Sequence, residues 1–255
     1  MEDHKLAKLD QSNSRWQRFL DNDIVYSFFT TPGAIIAATI TFIAITAAFA
    51  APLIAPYNPF DPAQISLWDG KLPPAWSDGG SSAYLLGTDN QGRDMLSTIL
   101  YGGRISILVG IAAVFLGMLL GVTLGVISGY FGGLTDTVIM RIADVQLTIP
   151  GILVAILING IGRAALPLEL REEFAIYVVI VAIGLTDWPQ FARVARGATL
   201  VEAEKEYVQA AKLIGLPKIT IILRHILPNT LRPVLVIATI GLAPVSYTHL
   251  RAHET

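Results

Sequence analysis

The chain has 255 residues, a formal net charge of −2 and no cysteine. Only 15% of its residues are charged and 53% are apolar, whereas a soluble domain carries roughly 25% charged residues. That balance excludes an ordinary soluble domain, a disulfide scaffold and a thiolate metal site, and the near-neutral charge offers a nucleic acid nothing to hold.

Residues 1–32 contain Lys5, Lys8, Arg15 and Arg18 and are expected to form a cytoplasmic tail. The first apolar run begins too late, and is too long, to be a cleavable signal. Residues 33–54, "GAIIAATITFIAITAAFAAPLI", carry no charge. A bilayer core needs about 20 apolar residues in a helix, so this run predicts a first span. Residues 55–104 are rich in Pro, Asp, Gly and Trp and read as an extracytoplasmic loop. Within it, "GTDNQGRD" lacks the spacing of acids that a calcium loop requires. Arg93 and Asp94 are expected in a solvated turn that caps the second span.

Residues 105–130 are uncharged and predict that second span. Gly117, Gly121, Gly125 and Gly129 recur every fourth residue, which puts all four on one helix face as a packing groove. Whether a helix of this chain or of a partner fills it is open at this point. Residues 135–160 predict a third span, with Arg141 and Asp144 near its start. Three residues apart on one face, these two can pair, and both lie close enough to the interface to snorkel. Pro150 should kink the helix beyond them. A fourth span runs from residue 174 to 186 or slightly past it, and residues 226–245 begin a fifth. The fold class is therefore an all-α polytopic membrane bundle of about five spans, whose core is residues 105–245.

Counted by side, Lys5, Lys8, Arg15, Arg18, Arg141, Arg193, Arg196, Lys205, Lys212, Lys218 and Arg224 fall inside when the N-terminus is cytoplasmic. Lys71, Arg93, Arg104, Arg163 and Arg171 fall outside. This bias favours an N-inside, multi-pass protein of a cytoplasmic membrane. It places residues 190–225 in the cytoplasm as a loop. The final "SYTHLRAHET", residues 246–255, follows an unfinished apolar run without a loop or cap. It is expected to be foreign to the natural chain, which should then be longer.

The cytoplasmic loop holds "YVQAAKLIGLPKITIILRHILP", residues 207–228. Leu200, Ala203, Tyr207, Ala211 and Ile214 recur every three or four residues, as on an amphipathic helix, with Glu202, Glu206 and Gln209 off that stripe. Gly215 stands where a helix C-cap needs a left-handed residue, and Pro217 follows it. The pattern is a short helix, a sharp turn and a return to the membrane. Ala210 and Ala211 would leave a flat patch for another surface. An interfacial helix lying on lipid is the alternative, although few large apolar residues are available to bury.

"QAAKLIG" followed by "HILP" resembles the cytoplasmic signature of ABC-importer permeases: Glu-Ala-Ala, three residues, Gly, nine residues, then apolar-x-Leu-Pro. Ala210, Ala211, Gly215, Leu227 and Pro228 match it, while Gln209 replaces the usual acid and His225 the apolar residue. Residues 85–110, "LLGTDNQGRDMLSTILYGGRISILVG", together with "GGLTDTVIMRIADV" and "LTDWPQFARVARGATL", resemble the C-type subunit of the dipeptide/oligopeptide/nickel branch. The resemblance implies a permease half without an enzymatic site. Its coupling loop, with Glu206, Tyr207, Gln209, Ala210, Ala211, Gly215, Pro217 and Pro228, would contact a separate ATPase subunit that binds ATP and magnesium. It also implies a second permease, forming a heterodimer, an extracytoplasmic solute-binding protein, a bacterial or archaeal inner membrane and a sixth span in the complete chain. Arg141 and Asp144 become a gate ion pair in this scheme.

No Walker loop is present, since "DGKLPP" has the Gly-Lys without the phosphate-cradling turn. The four histidines form no metal-ligand pattern. A secondary transporter or channel driven by an ion gradient is the competing class. It would want buried acids or interrupted helices near mid-bilayer. A membrane scaffold would need no cytoplasmic elbow at all.

Overall fold

The computed structural model describes residues 23–251. The chain divides after Arg104 into two compact units. Among the described residues the only strand-like feature is an isolated bridge between Thr88 and Asp94.

In the first unit, α1 (Asp23–Thr30) leads into α2 (Pro32–Phe49) and the short α3 (Ala51–Ile54). Thr31 is extended because a proline follows it, and Pro32 supplies a preset first turn. Nearly all of α2 is exposed, as a lipid-facing span requires. Thr39, Thr41 and Thr46 each return their hydroxyl to the carbonyl four residues back, so none meets hydrocarbon unpaired.

The loop after α3 is an ordered structure. The Asp89 carboxylate accepts the backbone N–H groups of Gln91 and Arg93 at 2.8 and 2.9 Å and pairs with the Arg93 guanidinium at 3.1 Å. Asp94 is buried, which corrects the solvated turn expected here. Its carboxylate accepts the Ser97 N–H at 2.8 Å and the Ser97 hydroxyl, satisfying an orphan donor at the start of α4 (Met95–Phe131).

The second unit comprises most of α4, then α5 (Gly133–Thr148), α6 (Gly151–Ala165), α7 (Arg171–Ala203), α8 (Glu206–Leu213), α9 (Lys218–Ile221), a π-turn (Ile222–Ile226) and α10 (Leu227–Arg251). Among the described residues four helices are long and apolar enough to cross a membrane, or five if the bent pair α5–α6 counts as one. The third predicted span is thus broken rather than kinked. Its halves meet at 96°, because Pro150 lacks an N–H and forces Ile149 into the extended region.

Within residues 190–225, α7 continues through Pro189 to Ala203, and the break before α8 falls at Glu204 and Lys205. A proline costs a helix one donor, and packing on α7 outweighs that loss. The tail expected to be foreign continues α10 as far as Arg251. The rest of it, and residues 1–22 of the predicted tail, lie outside the described residues.

The α4 glycines decide the packing. A Cβ on Gly117 would lie 3.1 Å from Gly184 O, one on Gly121 2.5 Å from Trp188 O, and one on Gly129 2.9 Å from Arg196 O. Gly125 meets the Ala192 carbonyl in the same way. Both series advance four residues at a time, so α4 and α7 run parallel with backbones in contact. The groove is filled by a helix of this chain. Around the seam, Val114, Val122 and Val126 of α4 pack with Phe191 and Ala195 of α7 and with Val234 and Ala238 of α10.

The α5 helix docks on α7 through polar pairs. Asp136 takes the Arg196 guanidinium and the Ser128 hydroxyl, and Asp144 takes Arg193 at 2.6 Å. The Arg141–Asp144 pair expected from spacing is therefore not formed. An intrahelical pair contributes only about 0.2–0.5 kcal/mol, and a short charge-assisted contact from the facing helix wins. Arg141 instead edges an apolar groove of about 440 Å3 beside Ile149, Val154 and Leu157.

Gly121→Leu should force α4 off α7, cost at least the about 1–3 kcal/mol of a core overpacking, and lower the thermal midpoint of the detergent-solubilised protein sharply. Gly197→Ala, with nothing within 4 Å of the new methyl, should leave the midpoint level or raise it slightly in the same assay.

Candidate functional site

The elbow between α7 and α10 is built from chemistry local to each residue. Glu204 ends α7, and Lys205 turns extended to start α8. Glu206 sits in the first turn of α8 and Lys212 in the last, both with the favourable sign for the helix dipole. The far end closes as a Schellman motif. Gly215 N–H bonds to Lys212 O at 3.1 Å and Leu216 N–H to Ala211 O at 3.2 Å. Gly215 has φ +84°, and a Cβ there would touch nothing within 4 Å. The demand for glycine is therefore conformational and not steric.

Pro217 then turns the chain extended and starts α9. The π-turn follows, closed by the Leu227 N–H on Ile222 O. Pro228 has no N–H to complete an α-helical bond to Arg224 O, which lowers the cost of widening the turn at this point.

The interior of the elbow is a small apolar cluster of Val208, Ala211, Ile221 and Ile226, with Tyr130 and Ala203 against it. Two expectations change here. Leu200, Ala203, Tyr207, Ala211 and Ile214 do not form one stripe, because the helix breaks at 204–205. The Ala210–Ala211 patch is also split: Ala210 is exposed while Ala211 is buried. The outer surface is instead apolar at its tip, where Leu213 is 89%, Ile214 77% and Ile219 63% exposed.

A polar hub ties the elbow to its neighbours. The Asn229 amide donates to Glu202 Oε1 at 2.8 Å, to the Tyr207 hydroxyl at 3.0 Å and to His225 O at 3.2 Å. Glu202, only 5% exposed, receives Lys205 Nζ on its other oxygen at 2.7 Å. Gln209, at the position of the signature's acid, donates to Ala203 O at 2.9 Å and so covers an end carbonyl of α7. Lys212 and Lys218 lie 5.7 and 5.5 Å from the ring centres of Tyr130 and Phe131 at the end of α4.

α8 is thereby fastened to the ends of α4 and α7 and to the start of α10. Glu202, Lys205, Asn229 and Leu213 were not among the residues predicted from sequence. The one available signal was a charged or amide residue at each margin of an apolar run. Among the described residues no group of His, Asp and Glu could hold a metal ion.

The family described as binding-protein-dependent transport system inner membrane component matches residues 121–245. The chain is 37% identical over 211 residues to a dipeptide transport system permease protein of Haemophilus influenzae, covering 83% of this chain and 67% of that one. It is 31% identical over 226 residues to a di/tripeptide transport system permease protein of Pseudomonas aeruginosa, covering 89% and 67%. It is also 35% identical over 250 residues to a glutathione transport system permease protein of Escherichia coli, covering 96% and 74%. Against several other relatives the chain spans just under two-thirds of their length.

Gly215→Ala should cost the elbow about 1–2 kcal/mol, the penalty of a left-handed residue with a Cβ. Ala211→Glu should cost more, because it pushes a carboxylate into the Val208–Ile221–Ile226 cluster. Amide exchange across residues 206–226 should accelerate in both variants while exchange in α4 stays unchanged.

Proposed function

The chain belongs to the family of inner membrane components of binding-protein-dependent transport systems, as an ABC-importer permease of the dipeptide branch, and on that premise we propose that its elbow is the coupling element that seats on a separate ATPase subunit. The observation that carries this reading is the exposed apolar tip of Leu213, Ile214 and Ile219 on a segment otherwise pinned from three sides. A monomeric surface rarely leaves such side chains uncovered, and a rigid apolar knob fits a groove on a partner.

In this scheme ATP and magnesium bind on the partner, and two ATPase subunits close around the nucleotide. The elbow, comprising Glu206, Tyr207, Gln209, Ala210, Ala211, Gly215, Pro217 and Pro228, follows that closure as one body. Ala211 and Gly215 act from within by keeping its shape, and the outer residues make the contact. α7 is the natural lever. Its 33 residues extend about 50 Å at 1.5 Å per residue, and α4, α5 and α10 all pack on it. A second permease subunit completes the pathway, and a solute-binding protein delivers a peptide or related small solute from the other side. The N-terminus and the elbow both face the cytoplasm, and this chain hydrolyses nothing itself.

The break at Ile149–Pro150 is an interruption of the kind that ion-coupled transporters use. The acids on α5, Asp136 and Asp144, are nevertheless each paired with an arginine of α7, Arg196 and Arg193.

In the assembled transporter, Leu213→Asp combined with Ile214→Asp should leave membrane insertion and protein amount unchanged. The same change should abolish co-purification of the ATPase chains and ATP-dependent peptide uptake into vesicles. Wild-type co-purification and uptake in that variant would overturn the assignment.

A further inference from the structure

The joint between α5 and α7 carries an inference that rests on the lever reading above and deepens it. Pro189 lies inside α7 and is fully buried. Because it has no N–H, the carbonyl four residues earlier, Leu185 O, loses its helical donor. In an apolar layer an unpaired carbonyl is costly, and a neighbouring helix must satisfy it.

Gln146, in the last turn of α5, does so. Its Nε2 donates to Leu185 O and, at 3.2 Å, to Thr186 O. Its Oε1 accepts the Trp188 indole N–H at 3.0 Å. Donor and acceptor ends of one amide are therefore both spent on the turn that precedes Pro189. The start of α6 approaches the same turn, since a Cβ on Gly151 would lie 3.0 Å from Thr186 Cγ2.

We propose that Gln146 is a positioning residue that stands in for the missing proline N–H and keeps α7 stiff through Pro189. Movement imposed at the elbow then passes the proline and reaches the α5–α6 break. Without the amide, α7 flexes at the opened turn and absorbs the stroke. Gln146 touches neither solute nor nucleotide in this role.

The test uses the whole transporter in vesicles and measures dipeptide taken up per ATP hydrolysed. Gln146→Met keeps the length of the side chain and removes both hydrogen-bonding ends. Uptake per ATP should fall about tenfold, with the ATPase chains still attached. Adding Pro189→Ala returns an N–H to Leu185 O, so the double variant should recover most of the loss. Unchanged uptake per ATP in Gln146→Met would overturn the proposal, as would a loss that Pro189→Ala does not repair. If Gln146→Met reduces the folded yield, the same rescue is read on the thermal midpoint of the solubilised complex. Detachment of the ATPase chains plays no part in these outcomes; it is the readout of the elbow variants, so failure of the coupling assignment is distinguishable from failure of this one.

Discussion

The contact of the α4 glycine face with the backbone of α7 is the constraint on which the second unit depends. Lipid offers helices no hydrophobic reward for associating, so close packing and satisfied polar groups must hold them together. Four glycines at consecutive turns remove every Cβ from the seam, and the carbonyls of Gly184, Trp188, Ala192 and Arg196 occupy the space. With that seam closed, α7 has one face committed to α4, and its remaining faces are left for α5, α6 and α10.

The polar groups of the unit follow from that position of α7. Arg193 and Arg196 face α5 and take Asp144 and Asp136. Trp188 and the Leu185 carbonyl opened by Pro189 face the end of α5 and take Gln146. Each is a polar group matched by a group on a neighbouring helix. A broken span and a proline-bearing helix are tolerable side by side because the side chains of one cover the backbone defects of the other.

The elbow repeats this logic at the edge of the membrane region. A helix of eight residues would not hold its shape alone in water. It is held by the Schellman closure at Gly215, by four buried apolar side chains and by the Asn229–Glu202–Lys205 hub. What it presents outward is correspondingly simple: a few apolar side chains at the tip of a stiff turn. With both ends and its inner face fixed in this way, the shape is costly to deform.

Much of this was legible in one dimension. Uncharged runs of helical length identified spans in α2 and α4, the glycine period marked a packing face, and Gly215 with Pro217 marked the end of a short helix. These are local properties, set by a residue's own backbone preferences or by helical repeat, and they need no knowledge of neighbours. Partner choice was not legible. Asp144 has Arg141 on its own helix, yet it pairs with Arg193, which is far along the chain and adjacent only once α5 lies on α7. The same holds for Gln146 and the Leu185 carbonyl, for Asn229 and Glu202, and for the inward turn of Ala211 beside an exposed Leu213. The sequence by itself determined which segments are helical, apolar and able to turn. Only the tertiary structure decided which polar groups meet and which apolar ones stay uncovered, because a side chain's energy in a membrane protein depends on what lies opposite it.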